Sequence, residues 1–115
     1  MKRSFRLTRS EDIKRVRQEG RSYAHKAIVL GVRPSQLERN RTAVIAGRSV
    51  GGAVQRNLAK RRIRSAFHGL QAELHQGYDL VIIARRPILE FDYPSLLEAM
   101  RSLLGQAGLL KDKVS

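Results

Sequence analysis

The sequence feature that most constrains the fold is a long amphipathic stretch, residues 51–67, which reads GGAVQRNLAKRRIRSAF. On a helix that turns by about 100° per residue, the apolar residues of its second half fall on one arc. With the residues that continue the pattern, this arc comprises Ile63, Ala66, Phe67, Leu70 and Leu74. The chain must therefore supply a surface that covers this arc, while the adjoining arc of the helix stays exposed.

The adjoining arc carries polar and basic side chains that suit a polyanion. They are Arg56, Asn57, Lys60, Arg61 and Arg64. No acidic residue occurs between Arg39 and Ala72, although like charges four residues apart destabilise a helix. Arginine binds phosphate through two parallel hydrogen bonds. A basic helical face is often merely solvated, but these features favour a nucleic-acid-binding surface.

The composition narrows the class of partner. A net charge of +13 and a pI near 11.4 point to nucleic acid or to an anionic membrane surface. The chain has no apolar run long enough to span a bilayer, and the basic helix lacks the broad apolar face of an interfacial anchor. The first residues do not form a signal-peptide pattern, and there are no cysteines. We expect a cytoplasmic nucleic-acid-binding protein.

The remaining pattern predicts one domain over residues 1–115, with flexible ends at 1–8 and 109–115. A first helix, capped by Ser10, should run to about Gln18, and strands are expected at 24–32, 41–47 and 79–84. The basic helix should continue to His75, and a last helix should begin near Pro94. The order α-β-β-α-β-α predicts an α/β (α+β) two-layer sandwich, with helices on a mixed sheet. The βαβ crossover would by default be right-handed.

The sequence offers little chemistry for catalysis. Its carboxylates are scattered, so no pair has the spacing of a general acid and base. The only histidines are His25, His68 and His75, and without cysteine they form a weak metal site. The glycines at 47, 51 and 52 fit no nucleotide-binding motif. We therefore expect no catalytic residue and no metal site in the protein, so any RNA reaction takes its chemistry from another molecule.

The basic helix resembles the hallmark of the bacterial ribonuclease P protein family. The family motif reads R-N-R-x-x-K-R-x-x-R after a Gly-Asn-Ala-Val-like lead, and here GGAVQ leads into RNLAKRRIR over residues 51–64. Arg6-Leu7 followed by Glu11-Asp12 also agrees, as does DLVIIAR at 79–85 with Pro87. The similarity covers about residues 6–104. This chain has Leu58 where the family often has arginine, and Ile13, Arg17 and Gly31 at positions that are commonly aromatic.

The resemblance implies a fold and a function. The fold would be an α/β sandwich with a left-handed βαβ crossover, against the right-handed default. The protein would join a catalytic RNA that uses Mg²⁺, bound mainly by that RNA, to remove the 5′ leader of precursor tRNA. The five residues of the basic arc would bind the RNA subunit. A cleft between the first helix and the sheet would hold the leader, with Ile13, Arg17, Val29 and Arg48 as candidate contacts.

A second hypothesis rests on charge alone. The chain could be a non-catalytic RNA-binding protein, associated with ribosomes or tRNA. Such a protein would bind RNA but would not promote precursor cleavage. Neither hypothesis requires an obligate protein partner.

Overall fold

The structure is a computed structural model that describes residues 6–111. Its centre is a mixed sheet of four strands in the order β1-β2-β4-β3. Three α-helices and two short 3₁₀ helices, at residues 71–73 and 86–90, complete the described chain. The α-helices and strands are α1 (Ser10–Glu19), β1 (Arg21–Ala24), β2 (Ile28–Pro34), β3 (Arg41–Ala46), α2 (Ala53–Leu70), β4 (Tyr78–Ala84) and α3 (Tyr93–Gln106). The predicted α+β class, with helices on a mixed sheet, is confirmed.

Strand β4 is central, as its apolar sequence predicted. It pairs antiparallel with β2 from Tyr78 to Ala84 and parallel with β3 from Asp79 to Ala84. Because β3 and β4 are parallel neighbours, the intervening helix α2 forms a βαβ crossover between them. The left-handed course implied by the family resemblance stays a prediction.

Helices α2 and α3 cover one face of the sheet and enclose the main core. All five residues of the predicted apolar arc of α2, from Ile63 to Leu74, are at most 1% exposed. Helix α3 begins after Asp92, whose Oδ1 accepts a hydrogen bond from the Ser95 backbone N–H at 2.8 Å. It buries Leu96, Met100, Leu103 and Leu104 against the same core.

Helix α1 lies on the opposite face of the sheet and makes a smaller second core. Its Val16 packs with Ala43 and Val81, and a Cβ added to Gly31 would lie 3.3 Å from Val16 Cγ1. Ion pairs at both ends of α1 hold it in place, because Asp12 lies 3.7 Å from Arg41 and Glu19 lies 3.5 Å from Arg33. Arg41 also forms a two-bond contact with the buried Asp79, and this hydrogen bonding raises the pKa of its guanidinium.

Asn40 fixes the connection between α2 and β4. Its side chain is buried, donates to the His75 carbonyl and accepts from the Tyr78 backbone N–H, each at 2.9 Å. The Asn40 backbone N–H also donates to the Gln76 side chain at 3.0 Å. These bonds satisfy buried backbone groups that the turn leaves unpaired, and they bring the start of β3 beside the start of β4.

Three local predictions were wrong. The expected strand at 24–32 is two strands, because His25 Nδ1 accepts the Ala27 N–H and closes a turn between β1 and β2. Ser10 is the first residue of α1 and not its cap; Arg9 has that position and makes no side-chain cap bond. Helix α2 ends at Leu70, short of His75, because the chain tightens into the 3₁₀ helix at 71–73.

The flexibility expected at residues 1–8 and 109–115 stays a prediction, although several of these residues pack against the domain. Leu7 is 3% exposed, and its N–H donates to the Thr42 carbonyl at the edge of β3. Leu109 is 1% exposed, and Leu110 bridges to Leu74. Apolar side chains at these positions therefore extend the two cores. The rest of the predicted flexible ends, residues 1–5 and 112–115, lies outside the described residues.

Candidate nucleic-acid interface

The basic face of α2, defined as Arg56, Asn57, Lys60, Arg61 and Arg64, points away from the core. Asn57 and Arg61 are exposed, and the other three are partly exposed. The opposite side of the helix buries Ile63 and Phe67, so packing fixes the rotation of the basic face. Gly51, with φ of 144°, turns the chain into α2; its Cβ would lie only 2.9 Å from Gln55 Cβ, so glycine is required there.

The cations of the basic face are not used to hold the fold. Within residues 6–111, the side chains of Arg56, Lys60, Arg61 and Arg64 take part in no ion pair or hydrogen bond. Other arginines differ, because Arg41 and Arg101 each bind a carboxylate at 2.9 Å or less. Helix α2 therefore holds four positive charges that have no carboxylate partner among the described residues. Their repulsion lowers the stability of the helix, but their hydrogen-bond donors stay available to a polyanion.

Arg62 lies between two members of the basic face in sequence but has a different role. Its guanidinium donates to the Phe91 carbonyl, and its charge contributes to lowering the pKa of Asp92, after the larger effect of hydrogen bonds from Ser95. Arg62 therefore ties α2 to the segment that begins α3. On the helix, Arg62 lies on a different arc from the basic face, and in the structure this arc contacts the segment before α3.

A cleft opens beside α1 on the other face of the sheet. Its floor is the row Val29, Ile83 and Ile45, which are directly paired across β2, β4 and β3 and are each partly exposed. The wall is α1, whose Ile13 packs in one cluster with Ile45 and Ile83; a shallow depression of about 570 Å³ on α1 itself is lined by Ile13, Lys14 and Arg17 and by no described residue of the sheet. Of the four predicted cleft residues, Ile13 and Arg17 line the same depression on α1, and Val29 lies beside Ile83, which belongs to the same cluster as Ile13.

The cleft is aliphatic. Of the described aromatic residues, Tyr23, Phe67, Tyr78 and Phe91 all belong to or pack against the core on the opposite face of the sheet, and the remaining one, Tyr93, begins α3. At Gly31, Val16 occupies the space directly above the strand. A larger side chain at Gly31 would therefore have to displace α1.

The cleft and the basic face meet at the edge of β3. A pocket of about 230 Å³ wraps this edge and is lined by Ile13 and Ile45 from the cleft side and by Arg64 from α2. Arg6 also lines it, because residues 6–7 run parallel to β3. The pocket therefore connects the two surfaces around this edge.

A second group of cations lies at the end of the sheet next to the cleft floor. Ala84 of β4 pairs with Ile28 of β2 and with Ala46 of β3, so the residues that flank these positions emerge at one end. They include the exposed Lys26, Arg48, Arg85 and Arg86. Arg48 was predicted, but it does not line the β3-edge pocket. Sequence reasoning did not single out Lys26 and Arg85 as candidates; Arg85 follows the carboxyl end of β4, a parallel strand, which was a signal for it, whereas Lys26 lies in the turn between β1 and β2.

The described residues do not provide a metal centre. Within 6–111, no group of three or more His, Cys, Asp or Glu side chains is arranged to hold a metal ion. The exposed His68 and His75 lie on α2 and in the loop after it. No helix in the same range has the length and apolarity needed to cross a membrane. The arrangement can bind polyanions through positive charge and can accommodate apolar groups in the cleft.

Comparison with known proteins agrees with this geometry. A family model described as Ribonuclease P matches residues 1–108. The chain is 41% identical to the ribonuclease P protein component of Chloroflexus aurantiacus over 111 residues, covering 96% of this chain and 82% of that protein. It is 37% identical to the corresponding protein of Roseiflexus castenholzii, covering 100% and 95%.

Solved structures of RNase P proteins have a similar fold. The RNase P protein from Thermotoga maritima superposes with a TM-score of 0.79 at 26% identity, covering 88% of this chain and 96% of that one. The RNase P protein of Staphylococcus aureus superposes with a TM-score of 0.84 at 23% identity, covering 93% and 98%. The latter similarity concerns the fold.

Proposed function

Because this chain belongs to the bacterial ribonuclease P protein family, we propose that its two surfaces bind two different RNAs within the holoenzyme. The chain is the protein component of ribonuclease P, which cleaves tRNA precursors to form the mature 5′ end. In our proposal, the basic face of α2 binds the RNA subunit and the cleft beside α1 binds the precursor's 5′ leader.

The unpaired cations support the role of the basic face. A cation already paired with a carboxylate must lose that partner before it can bind a phosphate, whereas Arg56, Lys60, Arg61 and Arg64 have none to lose within the described chain. Contacts with four phosphates would give a salt slope of about −2.8 to −3.6, since each contributes about 0.7–0.9. Asn57 adds an amide that can bond a base edge or a ribose hydroxyl.

The form of the cleft supports a single-stranded ligand. The aliphatic row Val29, Ile83 and Ile45 offers apolar surface to bases and sugars. Arg17 shares a depression on α1 with Ile13, which packs in one cluster with Ile45 and Ile83. Lys26 and Arg85 emerge at the sheet end next to this row. Cations on two sides of an apolar floor suit a flexible strand whose phosphates and bases face in different directions.

The single observation that carries the proposal is the meeting of the two surfaces at the edge of β3. Arg64 lines the pocket that also contains Ile13 and Ile45, and it belongs to the basic face as well. A leader lying in the cleft would pass this edge close to the bound RNA subunit. The protein would thereby hold the cleavage site of the precursor against the catalytic RNA.

The protein supplies binding in this scheme, and the RNA subunit supplies the chemistry. No acidic or histidine cluster among residues 6–111 fits Mg²⁺, so we assign the catalytic Mg²⁺ to the RNA and no step of hydrolysis to a side chain. The protein's cations would lower the repulsion between the two RNAs and so reduce the Mg²⁺ needed for cleavage. We place the protein in the cytoplasm.

The test uses precursor tRNAs with progressively longer leaders, cleaved by the reconstituted holoenzyme at low Mg²⁺. Wild-type protein should lower KM as the leader lengthens, and Arg17→Gln should reduce that gain while it leaves affinity for the RNA subunit unchanged. Arg61→Gln should weaken RNA-subunit binding and leave the leader-length dependence intact at saturating protein. If the protein binds RNA but cleavage does not depend on it, the general RNA-binding hypothesis replaces this one.

A further inference from the structure

Two aliphatic side chains stand exposed within the surface that α2 presents to solvent. Val54 is 77% exposed and Leu58 is 42% exposed. They lie four residues apart, one turn of the helix, so they are neighbours. Neither belongs to a core cluster, so folding does not explain them. Single exposed apolar residues are ordinary, but here a pair adjoins a row of unpaired cations.

The pair and the cations line the same groove. This groove is an open depression between side chains of α2 alone; it has a volume of about 570 Å³ and is lined by Val54, Asn57, Leu58, Lys60, Arg61 and Arg64. It contains no acidic side chain. Its two aliphatic side chains would accept a ring or a sugar, its three cations would accept phosphates, and the Asn57 amide is a further hydrogen-bonding group in the same lining.

We propose that this groove receives an unstacked nucleotide of the RNA subunit, with its base or ribose against Val54 and Leu58 and its flanking phosphates on Lys60, Arg61 and Arg64. A base within a duplex is stacked on both sides and cannot reach such a surface, whereas bases in loops and bulges can turn outward. The groove therefore selects an unpaired segment of RNA and does more than attract charge. This inference rests on the proposed RNA-subunit role of the basic face.

The charge of the groove favours a nucleotide over an apolar protein partner. Three of its six lining side chains are cationic, and the chain has a net charge of +13. An apolar protein partner would have to desolvate these cations without a counter-charge, which is costly. A nucleotide supplies the apolar and the anionic parts together, which suits a groove with both aliphatic and cationic side chains.

The test exchanges Leu58 for residues that separate apolar contact from charge. Leu58→Gln should weaken binding to the RNA subunit by about tenfold, as expected when a buried leucine side chain is lost. Leu58→Met, which keeps an apolar side chain of similar volume, should bind the RNA subunit about as tightly as the wild type. Gln55→Leu is the matched control, because it adds the same apolar side chain at an exposed position of the same helix outside the groove lining; it should leave binding unchanged.

A second readout separates base contact from backbone contact. Wild-type protein should prefer a single-stranded RNA to a duplex of the same length, and Leu58→Gln should reduce this preference. Equal affinities of Leu58→Gln and Leu58→Met for the RNA subunit would overturn the inference, and so would an unchanged affinity of Leu58→Gln. If Arg61→Gln also leaves RNA-subunit affinity unchanged, the failure lies in the proposed role of the whole basic face.

Discussion

Replacing Arg56 and Arg61 together by glutamine should weaken RNA-subunit binding and flatten its salt dependence without loosening the fold. Both side chains are without a partner in the described chain, so each is available for one phosphate. Losing two phosphate contacts should reduce the salt slope by about 1.4–1.8. Hydrogen bonds to charged groups are worth about 1.5–3 kcal/mol each, so the loss in binding free energy should not exceed about 3–6 kcal/mol.

The stability of the same variant separates a binding role from a structural one. Arg56 lies four residues before Lys60, and Arg61 lies three before Arg64, so removing the two charges relieves repulsion along α2. The melting temperature should therefore stay unchanged or rise slightly. Thermal unfolding followed by circular dichroism measures this, and RNA binding over a series of salt concentrations measures the slope.

The matched control is Arg33→Gln combined with Arg101→Gln. It removes the same total charge, but these two arginines are paired with Glu19 and Glu73 in the structure. Its salt slope should change much less than that of the test variant. Equal flattening in both double variants would show that only net charge matters. Loss of cooperative unfolding in the Arg56 and Arg61 variant would show that these residues hold the fold, and either result would refute the reasoning.

Three further predictions concern the scaffold. Asn40→Ala should lower the free energy of unfolding by about 2–4 kcal/mol, measured by urea denaturation, because it leaves the His75 carbonyl and the Tyr78 N–H unpaired; an unchanged value would mean that water replaces both bonds. Gly31→Phe should destabilise by about 1–3 kcal/mol through overpacking against Val16, and adding Val16→Ala should restore part of the loss; a fully stable Gly31→Phe would refute the packing argument. Folding lowers the pKa of Asp92 from its ordinary value of 3.8, so the ionised carboxylate stabilises α3 above that pH and this contribution is lost as the pH falls below it. The wild type should therefore melt at a higher temperature than Asp92→Asn near neutral pH, and this difference should disappear in acid. A difference that does not depend on pH would contradict the prediction.

The parts of the fold that could be predicted are those with a strong local signal. Helix α2 and its buried arc follow from a periodic pattern more than four turns long, and β4 follows from an uninterrupted apolar run. The turn at His25 could not be predicted, because Ala27 is apolar and buried and so continues the pattern of the strand. Leu74 misled the prediction of the helix end, because it is buried in the core although the helix stops before it.

The candidate site also has a part that could be predicted from the sequence and a part that could not. The basic face lies on one helix, so spacing alone identified its members. The cleft floor depends on the register that sets Val29 beside Ile83 and Ile83 beside Ile45, and such non-local pairing leaves no periodic signal within a single strand. Likewise, Arg61 and Arg62 are adjacent in sequence, and only the tertiary contact with Phe91 shows that Arg62 serves the fold.

The most direct test of the two-surface account is site-directed cross-linking within the assembled holoenzyme and its precursor tRNA. The chain contains no cysteine, so Arg17→Cys on the cleft wall and Asn57→Cys on the basic face each introduce a single attachment point for a photoactivated cross-linker. Our account predicts that Cys-tethered reagent at position 17 labels the precursor's 5′ leader and that reagent at position 57 labels the RNA subunit. Labelling of the same RNA from both positions, or the reversed pattern, would contradict it.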